Sequence, residues 1–172
     1  MQNNLRIETE RLVLRPLQPI DFQDLCLLDT DVDVRHFFPE GTLTPEQVQR
    51  ELDRHMFEWE ALGFGIFAVI DKKTNRFIGR SGFAKLSSGD VEFGFLFLKD
   101  CWNQGYATEA GKALLAWGIK HIPVDFIIGF APANHFASLR VLEKCGMKYV
   151  REGLYQNIPC MYYHFTEADI VK

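Results

Sequence analysis

The fold is decided by one stretch of the sequence, Trp102-Asn103-Gln104-Gly105-Tyr106-Ala107-Thr108-Glu109-Ala110. It follows the apolar run 91–98, which is typical of a strand, and it leads into the amphipathic run 108–120, which is typical of a helix. Residues 102–107 include no anionic side chain and have one glycine at the bend. Backbone amides at such a helix start are free to bind an anion such as phosphate. On spacing alone, an anion site and an ordinary strand-to-helix turn are equally supported.

The composition restricts the class of protein. The chain has 172 residues, of which 47% are apolar and 13% aromatic, and this is typical of one globular domain. Its net charge of -4 and lack of a basic cluster argue against a nucleic-acid partner and mildly favour cationic ones. No apolar run is long enough to span a membrane, and residues 1–4 lack a signal-peptide core. The four cysteines are scattered, so we expect reduced thiols, a cytoplasmic location and no metal site.

The first half of the chain predicts one strand and two helices. Residues 11–15 alternate as in an edge-type strand, 19–29 carry a short helical stripe, and 44–62 carry a longer one. Thr44 can cap the longer helix, and Gln47 can complete a capping box. His55 borders the apolar stripe of that helix, where a satisfied boundary histidine is expected. The aromatic loop 36–39 is expected to pack against the protein more readily than to form the floor of a substrate pocket.

The second half of the chain predicts a sheet with one crossover. Strands at 65–71, 76–86 and 91–98 are expected to be antiparallel neighbours, because turn residues separate them. The helix 108–120, whose buried face contains small residues, then connects to a strand at 125–130, which implies a parallel pair. A fourth helix at 136–145, ended by Gly146, precedes strands at 147–153 and 159–166 and a tail at 167–172.

Four segments together resemble the GNAT N-acetyltransferases, and more narrowly the branch that contains the ribosomal-protein N-terminal acetyltransferases. They are Gln104-Gly105-Tyr106-Ala107-Thr108-Glu109-Ala110, Glu8-Thr9-Glu10-Arg11-Leu12-Val13-Leu14-Arg15, Val91-Glu92-Phe93-Gly94-Phe95 and Arg140-Val141-Leu142-Glu143-Lys144-Cys145-Gly146-Met147. The resemblance covers nearly the whole chain in the right order. It implies a single α/β (α+β) domain over 1–172, with a mixed, mostly antiparallel sheet of about six or seven strands, one splayed parallel pair and about four flanking helices.

The resemblance also implies acetyl-CoA as a co-substrate and no metal. In the family the pantetheine arm lies between the splayed strands, and the pyrophosphate binds to the amides of the loop. Carried over to this sequence, the backbone of Phe95, Leu96 and Phe97 would hold the arm. The cofactor-binding loop would comprise Trp102, Asn103, Gln104, Gly105, Tyr106, Ala107 and Thr108.

Two positions after the second parallel strand depart from the family pattern. The family has Asn, two residues and then Ser, whereas Asn134 and Ser138 here are separated by three residues. Asn134 therefore either reaches the pantetheine through a bulged turn or only caps the helix. The family's tyrosine acid on this helix corresponds to Leu142, which cannot donate a proton.

The candidate catalytic residues are Glu92 as the base and Ser138 as the acid. Glu92 alternates with Phe93 in an otherwise apolar strand, so its carboxylate either faces solvent or has a raised pKa. Ser138 shares a face with buried neighbours, and its alternative role is a hydrogen bond to the backbone carbonyl four residues back. Secondary candidates on the acceptor side are Tyr155, Tyr162, Tyr163, His36 and His135.

The leading interpretation is an enzyme that transfers acetyl from acetyl-CoA to a primary amine by direct attack. The amine is either a protein N-terminal α-amine or a small molecule, and the protein would act as a monomer or homodimer with no nucleic-acid or membrane partner. A non-catalytic acyl-CoA-binding or sensing domain would use the same loop. An interaction domain with the Trp59 helix as a dimer face would bind no CoA.

Overall fold

The computed structural model describes residues 5–170. The segment 1–4, which lacks a signal-peptide core, and residues 171–172 of the predicted tail lie outside the described residues. Eight strands and four α-helices are present in the described part of the chain. They are β1 (Ile7–Glu8), β2 (Leu12–Pro16), α1 (Phe22–Asp29), α2 (Pro45–Leu62), β3 (Ile66–Asp71), β4 (Arg76–Lys85), β5 (Val91–Phe97), α3 (Tyr106–His121), β6 (Ile127–Pro132), α4 (Phe136–Lys144), β7 (Lys148–Tyr155) and β8 (Ile158–Phe165).

The strands form one sheet in the order β1-β2-β3-β4-β5-β6-β8-β7. Only β5 and β6 are parallel among the paired strands of the described chain. The predicted fold class, a mixed and mostly antiparallel sheet with four helices, is confirmed. About six or seven strands were expected and eight are present, and the one with no counterpart in the sequence prediction is β1, which has only two residues and leaves no alternation to detect. Since β1 pairs with β2, β2 is not the edge strand that the sequence suggested.

The helix α2 begins and ends where the sequence predicts. The Gln47 amide donates to Oγ1 of Thr44, and the Thr44 amide donates to Oε1 of Gln47, so the capping box is present. The helix ends at Gly63, whose φ of 77° is left-handed. Trp59 is only 4% exposed, and its indole donates to the carbonyl of Ile66 over 2.8 Å. Trp59 itself therefore belongs to the core and is not available to a dimer face on this helix.

Small residues allow α3 to lie directly on the sheet, as predicted. A Cβ atom on Gly118 would lie 2.4 Å from Cζ of Phe83, and one on Gly111 would lie 2.5 Å from Sγ of Cys145. The main core lies between one face of the sheet and the helices α3 and α4. A second apolar cluster packs α1 and α2 against the opposite face. The sheet is therefore covered on both faces, and ligands must reach it through its ends or through gaps.

A gap opens between the two parallel strands. β4 and β5 pair along the whole of β5, from Val91 to Phe97, whereas β5 and β6 pair only at Glu92 and Ile128. Beyond Phe93, the edge of β5 that faces β6 therefore has no paired strand. The parallel pair is therefore splayed, as the resemblance implied. The gap ends at the start of α3 on one side and at the start of α4 on the other.

Candidate active site

The loop that opens α3 presents unpaired backbone amides to this gap. Asn103 and Gly105 have left-handed φ values of 58° and 80°, and Gly105 is the N-cap residue. The first helical bond runs from the Glu109 amide to the Gly105 carbonyl over 3.0 Å. The amides of 103–108 have no hydrogen-bond acceptor among residues 5–170. Free amides at the positive end of a helix form an anion site.

An ion pair fixes this loop against the start of β2. Oε1 of Glu109 accepts hydrogen bonds from the Thr9 hydroxyl over 2.6 Å and the Arg11 amide over 2.8 Å, and Oε2 accepts from Nε of Arg11 over 2.6 Å. Arg11 also donates to the carbonyl of Gln104 and lies 4.3 Å above the ring centre of Tyr106. Burial raises the pKa of Glu109, but the hydrogen bonds outweigh it and leave the pKa lowered. The carboxylate of Glu109, in the first turn of α3, is thus already paired.

The edge of β5 offers fewer backbone groups than the sequence analysis expected. The Leu98 amide donates to the carbonyl of Ile78 over 3.0 Å. Bonds alternate along an antiparallel ladder, so Leu96 also directs its amide and carbonyl toward β4, while Phe95 and Phe97 face the gap. The carbonyl of Phe97 already accepts a hydrogen bond from the indole of Trp102 over 2.9 Å. Of the three expected residues, Phe95 therefore has both backbone groups free for a ligand, and Leu96 has neither.

Glu92 stands in the wall of the cleft without a partner. Its side chain is partly buried, and it forms no hydrogen bond with any group in residues 5–170. Burial raises its pKa from 4.5 to about 7. Burial followed by the charge of Glu92 raises the pKa of the nearby Tyr155. A carboxylate with a pKa near neutral pH is suited to act as a general base.

The start of α4 brings the other candidates to the same cleft. Oγ of Ser138 lies 3.2 Å from Nε2 of His135, so its alternative role, a bond to the carbonyl four residues back, is not observed. His135 stacks on Phe37, with 3.8 Å between ring centres. The N-cap residue is His135, not Asn134, whose exposed side chain lines the cleft and caps nothing. Leu142, at the position that corresponds to the family tyrosine, is buried and has no proton to donate.

The secondary candidates divide into two groups. Tyr155, His36 and His135 line the cleft. Tyr163 does not, because it is 2% exposed and donates to Oε1 of Glu143 over 3.0 Å, and its pKa is raised to about 12 by burial and that bond. Tyr162 donates to the carbonyl of Leu154 instead of facing the cleft. Both tyrosines were expected on the acceptor side, but neither lines the cleft, and each hydroxyl already donates to a protein group.

The aromatic loop 36–39 contributes to the cleft instead of only packing against the protein. Its residues form one wall, opposite the start of α4. Nε of Arg35 holds the loop by donating to the carbonyl of Gly41 over 2.8 Å. The whole cleft has a volume of about 1370 Å³. Small-molecule sites typically have ~300–1,000 Å³, so this cleft has room for a large cofactor and an acceptor together.

His55 is more deeply placed than the sequence analysis expected. It is 4% exposed, and Nδ1 lies 3.3 Å from Oε2 of Glu58. Burial is the main reason that its pKa is lowered, so the ring is neutral at neutral pH. No group of His, Cys, Asp and Glu side chains in residues 5–170 has the arrangement of a metal site.

Comparison with known proteins assigns the family. The model of the acetyltransferase (GNAT) domain matches residues 11–148. The chain therefore belongs to the GNAT acetyltransferases, a family of acetyl-CoA-dependent N-acetyltransferases, and the expected enzyme class is confirmed. The enzyme class therefore takes precedence over the alternative of a non-catalytic acyl-CoA-binding domain.

Individual relatives extend this similarity over nearly the whole chain. The uncharacterized N-acetyltransferase YnaD of Bacillus subtilis is 29% identical over 88% of this chain and 86% of its own length. The structure of a GNAT-family acetyltransferase from Bacillus anthracis is 29% identical, with a TM-score of 0.81 over 95% of this chain and 99% of that chain.

More distant structures share the fold alone. A ribosomal-protein-S5-alanine acetyltransferase from Vibrio fischeri is 16% identical, with a TM-score of 0.80 over 98% of this chain and 100% of that chain. A spermidine N-acetyltransferase from Vibrio cholerae, in complex with CoA and spermine, is 13% identical, with a TM-score of 0.79 over 94% and 99%. The two act on different amines, so fold similarity leaves the acceptor of this chain undetermined. No helix in residues 5–170 has the length and apolar character needed to cross a membrane.

Proposed function

We propose that this protein transfers the acetyl group of acetyl-CoA to a primary amine, either a protein N-terminal α-amine or a small-molecule amine. The observation that carries the proposal is Glu92, an unpaired and partly buried carboxylate with a pKa of about 7, in the cleft that leads to the free loop amides. A structural acid would be expected to have a partner at such a position. A base that accepts a proton from a substrate has no hydrogen-bond partner in the protein, because the substrate takes that place.

The cofactor is proposed to bind along the gap between β5 and β6. Its pyrophosphate fits the amides of 103–108, because these donors are already oriented and have no competing acceptor among residues 5–170. The pantetheine arm fits the free edge of β5 at Phe95, with Asn134 on the opposite side of the cleft. Acetyl-CoA supplies the activated thioester, and the groups of the protein bind and orient it.

The reaction requires a neutral amine. At pH 7 an α-amine with a pKa of about 8 is neutral roughly a tenth of the time, and a lysine side chain, with a pKa of about 10.4, less than about a thousandth of the time. Glu92, with a pKa of about 7, can take the amine proton directly or through a water molecule. This balance favours an α-amine or another amine of moderate pKa.

The transfer itself needs no covalent enzyme intermediate. The amine lone pair forms the new C–N bond, and the electron pair of the C–S bond leaves on sulfur. The proton lost by the amine passes to Glu92. The leaving thiol has a pKa of about 8.5, so a hydrogen bond from the hydroxyl of Ser138 is sufficient to help it depart.

The experiment is a screen for thiol release from acetyl-CoA with four classes of amine: short peptides, amino acids, polyamines and aminoglycosides. We expect at least one class to release CoA well above the rate of thioester hydrolysis, together with an acetylated product identified by mass spectrometry. Slow hydrolysis that no amine accelerates would contradict the proposal. Unacetylated CoA with the same amines is the control for reagent artefacts.

A further inference from the structure

Three side chains connect the two walls of the cleft. The ring of Phe37, on the aromatic loop, lies parallel to the ring of His135 within 13°, with 3.8 Å between centres. Nε2 of His135 lies 3.2 Å from Oγ of Ser138, in the first turn of α4. All three residues line the cleft. The stack fixes the plane of the imidazole. The imidazole in turn occupies one hydrogen-bonding direction of the serine oxygen.

The location of His135 decides which of its nitrogens carries the proton. It is the N-cap residue of α4, and the first helical bond runs from the Leu139 amide to its own carbonyl. The His135 side chain forms no capping bond with the helix start, and Nδ1 has no hydrogen-bond partner among residues 5–170. Nε2 faces Oγ of Ser138, so a proton on Nε2 has an acceptor and a proton on Nδ1 has none. Burial, and then the proximity of His36, lower the pKa of His135 to about 4, so the ring is neutral.

We propose that His135 is a positioning residue, which donates its Nε2 hydrogen to Oγ of Ser138 and so leaves the serine hydroxyl hydrogen free to face the cleft. This inference rests on the proposed acetyl transfer. A serine that instead donated to imidazole would have no hydrogen left for the substrate. With the oxygen already accepting from His135, the hydroxyl donates to the sulfur or the carbonyl oxygen of the thioester. Phe37 supports this arrangement through the stack.

The protein contains a matched control for this arrangement. His164 stacks on Phe126 with 4.3 Å between ring centres and an angle of 10°, much as His135 stacks on Phe37. His164 has no side-chain hydrogen bond within residues 5–170, and it does not line the cleft. Replacing either histidine by Phe keeps an aromatic ring in the stack and removes the ring nitrogens. The difference between the two variants therefore isolates the hydrogen bond to Ser138.

The kinetic test compares His135→Phe, Ser138→Ala, the double variant and His164→Phe with an amine found in the screen. We expect His135→Phe and Ser138→Ala each to lower kcat about tenfold, with KM for acetyl-CoA changed less than about twofold. The double variant should lose no more than either single variant, because both act through one hydroxyl. His164→Phe should retain full activity. Losses that multiply in the double variant, or an equal loss in His164→Phe, would overturn the proposal.

A second measurement does not depend on turnover. Nitrogen-15 NMR of the full protein bound to CoA reports which ring nitrogen of His135 is protonated. We expect protonated Nε2 and bare Nδ1, with the Nε2 signal shifted in Ser138→Ala. A proton on Nδ1 would overturn the positioning role even if acetyl transfer occurs. If no amine is acetylated but Nε2 carries the proton, the proposed function fails while the assigned hydrogen bond stands.

Discussion

Arg11 and Glu109 are 98 positions apart in the sequence and share a 2.6 Å hydrogen bond between Nε and Oε2. The pair joins the start of β2 to the first turn of α3. Arg11 holds the loop from two more directions, through the carbonyl of Gln104 over 2.9 Å and the ring of Tyr106. The orientation of the free amides therefore depends on a side chain that lies outside the loop.

Replacing Arg11 by Ala should weaken CoA binding about tenfold. Without the Arg11 contacts the loop is less ordered in the free protein, and the free energy needed to order it is subtracted from the binding free energy of CoA. The free energy of unfolding should fall by only about 1 kcal/mol, since the guanidinium is 39% exposed. Calorimetry with CoA and urea unfolding measure the two effects. Arg6→Ala, which removes an exposed pair with Glu8, is the control and should change neither quantity appreciably. Unchanged CoA affinity in Arg11→Ala would contradict the role of the pair.

Replacing Gly105 by Ala should impair both stability and cofactor binding. Its φ of +80° is a left-handed conformation, which costs a non-glycine residue about 1 kcal/mol. The new Cβ would lie 3.4 Å from Nη2 of Arg11, so relaxation of the strain would move the loop amides. Gly89→Ala is the matched control, because Gly89 has a φ of +94° and no heavy atom within 4 Å of its added Cβ. We expect a similar stability loss in both variants and weaker CoA binding in Gly105→Ala alone.

The sequence predicts the parts of the site that depend on local structure. The helix start at 102–108 follows from one glycine and from the change of the apolar pattern from strand-like to helical spacing. The position of Glu92 follows from alternation in one strand. The contacts that complete the site are not local. Arg11 meets Glu109 only through the fold, and the aromatic loop meets His135 across the cleft. No pattern within either segment indicates its partner.

The final hairpin shows the same limit for side-chain direction. Tyr155 faces the cleft, whereas Tyr163 is buried against α4. Tyr155 pairs with Ile158 across the turn, and Tyr163 lies five residues further along β8, so strand alternation directs the two rings to opposite faces. The sequence indicates this alternation, but it does not indicate which face of the hairpin lines the cleft. The acceptor side, which the hairpin helps to form, is therefore the part of the site that sequence reasoning placed least well.

Glu92 should reduce stability at neutral and higher pH. Burial raises its pKa from 4.5 to about 7, so the folded state favours the protonated acid. The associated stability is fully present below about pH 4 and is lost as the pH rises through about 7. Glu92→Gln should therefore be more stable than the wild type at pH 8 by up to about 3 kcal/mol, with little difference at pH 4. Urea unfolding at both pH values measures this, and Glu60→Gln, on the exposed face of α2, is the control. An advantage of Glu92→Gln that is equal at both pH values would show that ionisation is not its cause.

The same substitution should impair catalysis. Removing a general base typically costs about a hundredfold or more in rate, so kcat of Glu92→Gln should fall by at least about that factor at pH 7. In the wild type kcat should decline below an apparent pKa of about 7, because protonated Glu92 cannot accept the amine proton. The variant should lack this limb of the pH profile.

Measurements at saturating amine separate this limb from the ionisation of the free substrate, which affects kcat/KM. Glu60→Gln should keep both the rate and the profile of the wild type. Full turnover of Glu92→Gln at saturating amine, or an unchanged acidic limb, would assign the base to another group in the cleft, where Tyr155 is a titratable candidate. Greater stability at pH 8 together with lower kcat in one variant would identify Glu92 as a residue whose burial costs stability and whose basicity serves the reaction.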